Sequence, residues 1–595
     1  MKELAVLNKY FVKYRWHLLL GIVFVSASNY FRVLQPRMIR EALDLVVDNI
    51  SYFYLFEGFE VQGELFSVLG NTLMLFGILV LLLALAMGVF MYFMRQTIIV
   101  MSRLIEYDLR KELFGHYEKL SLAFFKRNKT GDLMARISED VSKVRMYLGP
   151  AVLYGINLVS LFVFVIYSMI SVSPTLSLYS LAPLPFLSIS IYYVSHIINT
   201  RSTVIQKQLG QLNSHAQEVY SGIRVVKSYV QEAPMTDFFR HESEDYKNKA
   251  LRLVQVESLF HPVMLLLIGA STIITVYAGG MLAVRGEITA GNIAEFVIYV
   301  NMLTWPVTAT GWIASIIQQA AASQKRINEF MQTAPDINNE VPAEDEPLRG
   351  AIAFKNVNFI YPDTGIHALR NVNFHLAAGQ KMAIIGRTGS GKTTIADLLV
   401  RMYDVSNGSI ELDNKNIEAH DLNKLRKRIG YVPQDVFLFS DTISQNIAFG
   451  RRDASQEEIE EFARHAAVYD DIMGLTEGFK TMVGERGVTL SGGQKQRVSI
   501  ARALIKRPDI VILDDCLSAV DTNTEKQILG YFTSALADKT AIIITHRIYS
   551  LLQFDKIIVL DEGEIVEEGT HSELLQQKGY YYQLYEKQTM EEEEA

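Results

Sequence analysis

The residues whose types and spacing could do chemistry fall in a few short runs in the second half of this 595-residue chain. Gly386-Arg-Thr-Gly-Ser-Gly-Lys-Thr393 has the G-x4-G-K-T form of a phosphate-binding loop. Its backbone N–H groups at Gly386, Arg387, Thr388, Gly389, Ser390 and Gly391 can wrap phosphate oxygens. The helix that follows, opening through Lys392, Thr393 and Thr394, adds its positive N-terminal end. In such a loop Lys392 reaches the β- and γ-phosphates of ATP, and Thr393 ligates Mg²⁺. Farther on, Ile510-Val-Ile-Leu-Asp514 is an apolar run ending in a carboxylate, which suits a second Mg²⁺-holding position.

These residues need a frame of buried strands with loops at one end. Met382-Ala-Ile-Ile385 reads as such a strand directly before the phosphate loop, and strand-like alternation begins at Ala351. The expected domain is therefore α/β, over residues 349–586. Ahead of it, 331–348 reads as a linker, since Thr333–Pro347 holds three prolines and five acids. Residues 587–595 read as a solvated acidic tail.

Residues 1–330 are of a different kind. Leu65–Met94, Met146–Thr200 and Ser258–Val284 run 30, 55 and 27 residues without Asp, Glu, Lys or Arg. About 20 apolar residues span a bilayer, so the longest stretch is two helices, divided at Ser171-Val-Ser-Pro-Thr175. With Trp16–Met38 and Asn292–Ile317 the expectation is six transmembrane helices, the first retained rather than cleaved as a signal. Basic residues set the orientation: Arg95–Arg145 holds eleven Lys and Arg and His196–Val256 holds eight, whereas Glu41–Leu65 holds none and six acids. The N-terminus, those two basic loops and the C-terminal half are thus expected on the cytoplasmic side. The loop tips are Phe124–Asp132, a turn and then a helix capped by Thr130 or Asp132, and Gly222–Val230. Arg32, Arg37, Arg40 and Glu295 near the outer ends read as interfacial or structurally paired charges.

Composition narrows the function classes. Residues 1–330 carry 29 Lys and Arg against 24 Asp and Glu, and residues 331–595 carry 28 against 41. An acidic C-terminal half excludes nucleic acid as the main partner. The one cysteine, Cys516, excludes a disulfide scaffold or a multi-cysteine metal site.

Leu490-Ser-Gly-Gly-Gln494, continuing Lys-Gln-Arg497, resembles the signature motif of the ATP-binding cassette (ABC) transporters. With the phosphate loop and the membrane spans, the chain resembles an exporter half-transporter over nearly its whole length. The resemblance implies the following roles. Ser491, Gly492, Gly493 and Gln494 meet the γ-phosphate of ATP held by the opposite subunit's loop, and Tyr361 stacks on adenine. Gln434 touches Mg²⁺ and senses the membrane half, and His546 contacts the γ-phosphate. Ser518-Ala-Val-Asp521 crosses the dimer interface, and Gly484-Glu-Arg-Gly487 contacts the coupling segments.

One position departs from the family pattern. The residue after Asp514, usually a glutamate that polarises the attacking water, is Asp515, and Cys516 follows it. Aspartate is one C–C bond shorter, about 1.5 Å, and a general base must lie within hydrogen-bond reach of its water. A weak site of its own beside an intact signature motif is the pattern of the degenerate-site subunit in a heterodimeric bacterial multidrug exporter. A homodimer in which Asp515 suffices is the alternative. The implied cargo is amphipathic or hydrophobic, with Tyr154, Phe162, Phe164, Tyr167, Met264, Met302 and Trp305 available to line a path or face lipid. A lipid or lipid-linked translocase and a nucleotide-gated, non-pumping regulator are the rival readings.

Overall fold

The computed structural model describes the chain outside residues 1, 340–347, 485, 486, 488, 519, 521, 536, 537, 547, 549–553 and 595. Glu485, Arg486, Ala519 and Asp521 from the motifs above therefore lie outside the described residues. Two compact units emerge, Met1–Tyr117 with Gly131–Thr333, and Glu118–Thr130 with Ala334–Ala595. A short piece of the N-terminal half, one of the two basic loop tips, thus groups with the C-terminal half.

The first unit is helical: α1 (Arg15–Leu55) and α2 (Glu60–Tyr117), then, past α3 (Leu122–Arg127) of the second unit, α4 (Thr130–Val172), α5 (Pro174–Leu181), α6 (Pro183–Ser221), α7 (Ile223–Ser228), α8 (Glu232–Val284) and α9 (Ala290–Met331). Among the described residues, five stretches are long and apolar enough to cross a membrane: Arg15–Tyr52, Glu60–Tyr117, Thr130–Val172, Pro174–Ile191 and Glu232–Val284. The sixth expected span, Asn292–Ile317, lies within the 42 residues of α9, which is long enough to cross but is not among those five. At 1.5 Å per residue, the 58 residues of α2 extend about 87 Å, some three times a bilayer's hydrocarbon thickness. The break expected in the 55-residue uncharged run falls at Ser173. Its backbone is extended (φ −155°), its Oγ accepts the N–H of Leu176, and Pro174 opens the next helix at a position where no N–H is needed.

The loop tips differ from expectation in detail. The segment from Phe124, read as a turn, is the helix α3, with Ala123 buried in the core of the second unit. Thr130 lies in the first turn of the next helix rather than ahead of it, and Asp132 is engaged by Arg136 (2.6 Å) one turn on. The other tip is α7, with Val225 and Tyr229 exposed.

Of the charges near the outer ends, Arg37, Arg40 and Glu295 pair within the unit, Arg37 with Glu41 at 3.3 Å. Arg40 Nη1 donates to Glu295 Oε2 at 3.1 Å, and the Tyr299 hydroxyl donates to Glu295 Oε1 at 2.9 Å. Glu295 is 1% exposed, so a lone charge there would be costly and the pairing is structural. Of the aromatic and methionine residues offered for a path, Tyr154 meets Trp305 and Trp312, each at 5.5 Å between ring centroids. Met264 is buried core, and Tyr167 is exposed.

The second unit holds two sheets. The antiparallel one has order β2-β1-β4-β5, from β1 (Ile352–Ile360), β2 (His367–Leu376), β4 (Asn407–Leu412) and β5 (Lys415–Asn416). The other has order β10-β9-β3-β8-β7-β6, from β3 (Lys381–Gly386), β6 (Ile429–Val432), β7 (Ile510–Asp514), β8 (Thr540–Ile544), β9 (Lys556–Asp561) and β10 (Glu564–Gly569). Its β9, β3, β8, β7 and β6 run parallel, and β10 closes the edge antiparallel. Such strands are buried on both faces and read as continuous apolar runs, as β7 and β8 do with every residue buried.

Helices α10 (Lys392–Leu399) and α11 (Gly492–Leu504) flank the sheet. The last, α12 (Tyr580–Glu594), contains most of the expected acidic tail. Tyr581 and the partly buried Leu584 hold that helix against Ile385, Ile557 and Val559, which is why the chain stays helical there.

Candidate functional site

Strand register brings the candidate residues together. Asp514 at the end of β7 pairs with Ile544 at the end of β8, and Val432 at the end of β6 pairs with Leu513. Gln434, Asp515 and His546 therefore emerge one or two residues past neighbouring strand ends, beside the loop that leaves β3 at Gly386. Open α/β sheets bind ligands at this edge, beyond the carboxyl ends of their strands.

The loop conformation is one that glycine permits. Gly386 (φ +151°) passes the Leu560 carbonyl so closely that a Cβ would lie 2.1 Å from its oxygen. Gly391 (φ +102°) would set a Cβ 2.5 Å from the Ala368 oxygen. Lys392 folds back over the loop, its Nζ donating to the carbonyls of Gly386 and Arg387 at 2.8 Å each. Burial lowers the pKa of this ammonium, and the carboxylates of Asp515 and Asp514 oppose the shift.

A cavity of about 630 Å³ opens over the loop. Thr388, Gly389, Gly391, Lys392, Thr393 and Thr394 line its floor, and Tyr361 stands at one side. Gln434, Asp514, Asp515 and His546 line the rest, with His367, Arg370 and Glu562 as members that motif reading did not single out. Gly386, Arg387 and Ser390 complete the loop without lining the cavity.

Asp514 is 1% exposed, and burial raises its carboxyl pKa to about 6, with Asp397 and Asp515 adding and Thr393 and Lys392 opposing. Its Oδ2 is buried with no hydrogen-bond partner among the described residues. An orphaned carboxylate oxygen beside the Thr393 hydroxyl is a donor pair that a hard divalent cation fits. Among the described residues no three His, Cys, Asp or Glu cluster to hold a metal alone, so an ion here would share its ligands with substrate phosphates.

Asp515 sits in the left-handed region (φ +46°), its N–H bonded to the Ile544 carbonyl at 2.9 Å. Gln434 Nε2 donates to its Oδ2 at 3.4 Å. Burial, then the charge of Lys392, lowers the pKa of His546, with Asp515 opposing. The imidazole is therefore neutral at pH 7 and can donate one N–H.

The signature residues stand apart from this cavity. Ser491 caps α11: its Oγ accepts the Gln494 N–H at 3.2 Å, and Gln494 Oε1 accepts the Ser491 N–H at 3.0 Å. Asp471 ties Gln494 and Arg497 to the preceding helical segment, at 3.1 and 2.7 Å. None of Ser491, Gly492, Gly493 or Gln494 lines the cavity of its own chain.

Two further contacts were invisible to motif reading. Lys126 of α3 places its ammonium 5.2 Å from the Tyr361 ring centroid and 5.4 Å from that of Tyr403, while the Tyr361 hydroxyl bonds to Thr394 Oγ1 at 2.9 Å. Gln588 of α12 reaches the backbone at His546. Neither lies in a local pattern that points to its partner.

Comparison with known proteins decides the family. Residues 18–307 match the model of the ABC transporter transmembrane region, and residues 369–518 that of the ABC transporter. The chain is 36% identical over 588 residues to the probable multidrug resistance ABC transporter ATP-binding/permease protein YheI of Bacillus subtilis, covering 99% of this chain and 98% of that one. The chain belongs to the ABC transporter family. Within it, an ATP-dependent lipid A-core flippase of Syntrophus aciditrophicus is 35% identical over 518 residues, 86% of this chain and 85% of that protein. The solved structure of a bacterial Atm1-family ABC exporter with ATP bound superposes with a TM-score of 0.77 at 27% identity, covering 98% of this chain and 99% of that one. This ABC exporter half-transporter is thus a multi-pass protein of the cytoplasmic membrane whose ATPase domain is coupled to transport.

Proposed function

We propose that this half-transporter exports an amphipathic or hydrophobic substrate from the cytoplasmic side, as the degenerate-site half of a heterodimer. Its own loop binds ATP with Mg²⁺: Tyr361 stacks on adenine, residues 386–391 wrap the phosphates, and Lys392 and His546 contact the γ-phosphate. Thr393, Asp514 and Gln434 hold the ion, which neutralises phosphate charge when bound. Ser491 and the glycines after it offer a helix N-terminus to ATP on the partner's loop. Closing the two ATPase domains on ATP and reopening them after hydrolysis shifts the membrane helices between two populations, open inward or outward. The loop tips α3 and α7 carry that shift.

The observation that carries the degenerate-site reading is Asp515 itself. It is shorter than glutamate, and its Oδ2 already faces the Gln434 amide. A water in line with the γ-phosphate is then poorly served at this site, while the capped α11 equips the partner's site. The test is transport into vesicles by the assembled exporter. Asp515→Asn should reduce uptake only modestly, and removing the glutamate after the partner's own Mg²⁺-binding aspartate should nearly abolish it. Equal losses from the two changes would overturn the reading.

A lipid translocase is the second reading, favoured by the similarity to the lipid A-core flippase. ATPase stimulation by lipid A-type amphiphiles rather than by cationic drugs would select it.

A further inference from the structure

Helix α12 touches the ATP cavity's frame at two places. Near its start, the Arg387 guanidinium lies over the Tyr580 ring, 5.5 Å from the centroid. Two turns later, the Gln588 side chain makes a pair of bonds to the segment after β8: Nε2 donates to the His546 carbonyl at 2.6 Å, and Oε1 accepts the Ile548 N–H at 2.8 Å. One planar amide thus brackets the loop that carries His546, satisfying an acceptor and a donor two residues apart. Ile548 is fully buried against Ile385, Val559 and Tyr581, so the far end of the bracket is anchored in the core. His546 itself is not held in the core; its ring lines the cavity, so its aim depends on the backbone that presents it.

We propose that Gln588 is a positioning residue for His546, fixing the backbone that aims the imidazole at the γ-phosphate of ATP. Gln588, although it lies in the stretch read as a solvated tail, then belongs to the ATP site's framework. The inference rests on reading His546 as the γ-phosphate contact, and it makes a prediction that ordinary stabilisation does not. A bracket that only stabilised the fold would affect ATP and ADP alike. A bracket that aims His546 affects ATP alone, because ADP has no γ-phosphate for the imidazole to meet.

The experiment is photolabelling of this subunit by azido-ATP in the full-length exporter on ice, competed by ATP or by ADP. Gln588→Ala should weaken ATP competition about five-fold, the worth of roughly one hydrogen bond, and leave ADP competition unchanged. Gln588→Glu keeps the acceptor for Ile548 but loses the donor to His546, and should behave like the alanine variant. In a His546→Ala background, Gln588→Ala should add nothing, since the two act as a unit. Equal loss of ATP and ADP competition in Gln588→Ala would make the bracket merely structural and overturn the proposal. So would an unchanged ATP preference in Gln588→Ala when His546→Ala lowers it. An unchanged preference in His546→Ala would overturn the γ-phosphate assignment first, and the bracket's role with it.

Discussion

The Gln434 amide lies 3.4 Å from the Asp515 carboxylate, across the gap between the ends of β6 and β7. In this family the position of Asp515 usually holds a glutamate that polarises the attacking water. The shorter side chain instead lies beside the loop glutamine, and the left-handed backbone at Asp515 (φ +46°) leaves it little freedom to advance. The proposed weak hydrolytic site, and with it the proposed dependence on a second subunit, rests on this relationship.

Lengthening the side chain should reverse the defect. Asp515→Glu is expected to raise kcat at this chain's site about a hundred-fold, the lower end of the range for a positioned general base, with little change in ATP affinity. Ser491→Arg should act at the other site, cutting turnover of the assembled exporter severely, because bulk and charge would block the N-terminus of α11. Steady-state ATPase of the assembled exporter, with subunit-specific photolabelling, checks both.

The phosphate loop offers a control. Lys392→Ala should abolish most nucleotide photolabelling of this subunit while leaving the fold intact, since among the described residues the Lys392 ammonium bonds only loop carbonyls. Unchanged labelling would contradict the loop's assignment.

The loop tip α3 should tune adenine binding. Lys126→Ala removes a cation near the face of Tyr361, an interaction worth about 0.5–1 kcal/mol at such sites. ATP affinity should fall about three-fold on that scale, with Lys126→Arg retaining it. Isothermal titration with a non-hydrolysable ATP analogue measures the change.

What the chain's pattern disclosed and what it hid divide along physical lines. The phosphate loop was legible because backbone geometry at Gly386 and Gly391 tolerates no side chain, and the strand before it must be apolar. The break at Ser173-Pro174 was legible because capping and the missing proline N–H are local. Lys126 and Gln588 were not, because each acts on a partner more than 40 residues away with no local period to mark it. The acidic end was read as solvated from its charge, and charge alone gave no sign that Tyr581, ahead of it, packs the same helix against the core.

Burial holds the pKa of His546 below 6.5, so its ring is neutral in the folded state where an unfolded chain would take up a proton. Its contribution to stability is therefore present above pH 6.5 and lost as pH falls through the lowered folded value. Thermal unfolding at pH 7.5 and 5.5 should show a smaller acid-side drop in Tm for His546→Gln than for the unaltered protein.

Orientation can be read with one introduced thiol at a time. Cys516 is 1% exposed, and Cys516→Ala gives a background without reactive sulfur. A cysteine at Glu57 should react with an impermeant maleimide in intact cells, and one at Gly131 only after the membrane is opened. Labelling of the Gly131 site alone would invert the topology.

As the proposed degenerate-site half of a heterodimer, this chain should not hydrolyse ATP efficiently by itself. The most direct test is the ATPase rate of the purified chain in lipid, without any second half-transporter, alongside Asp515→Asn. The expected result is a low rate that substrates do not stimulate and that the substitution barely changes, with full turnover appearing only when the second subunit is added. Robust, substrate-stimulated turnover by the chain alone that disappears in Asp515→Asn would contradict it and establish a homodimer with Asp515 as its working base.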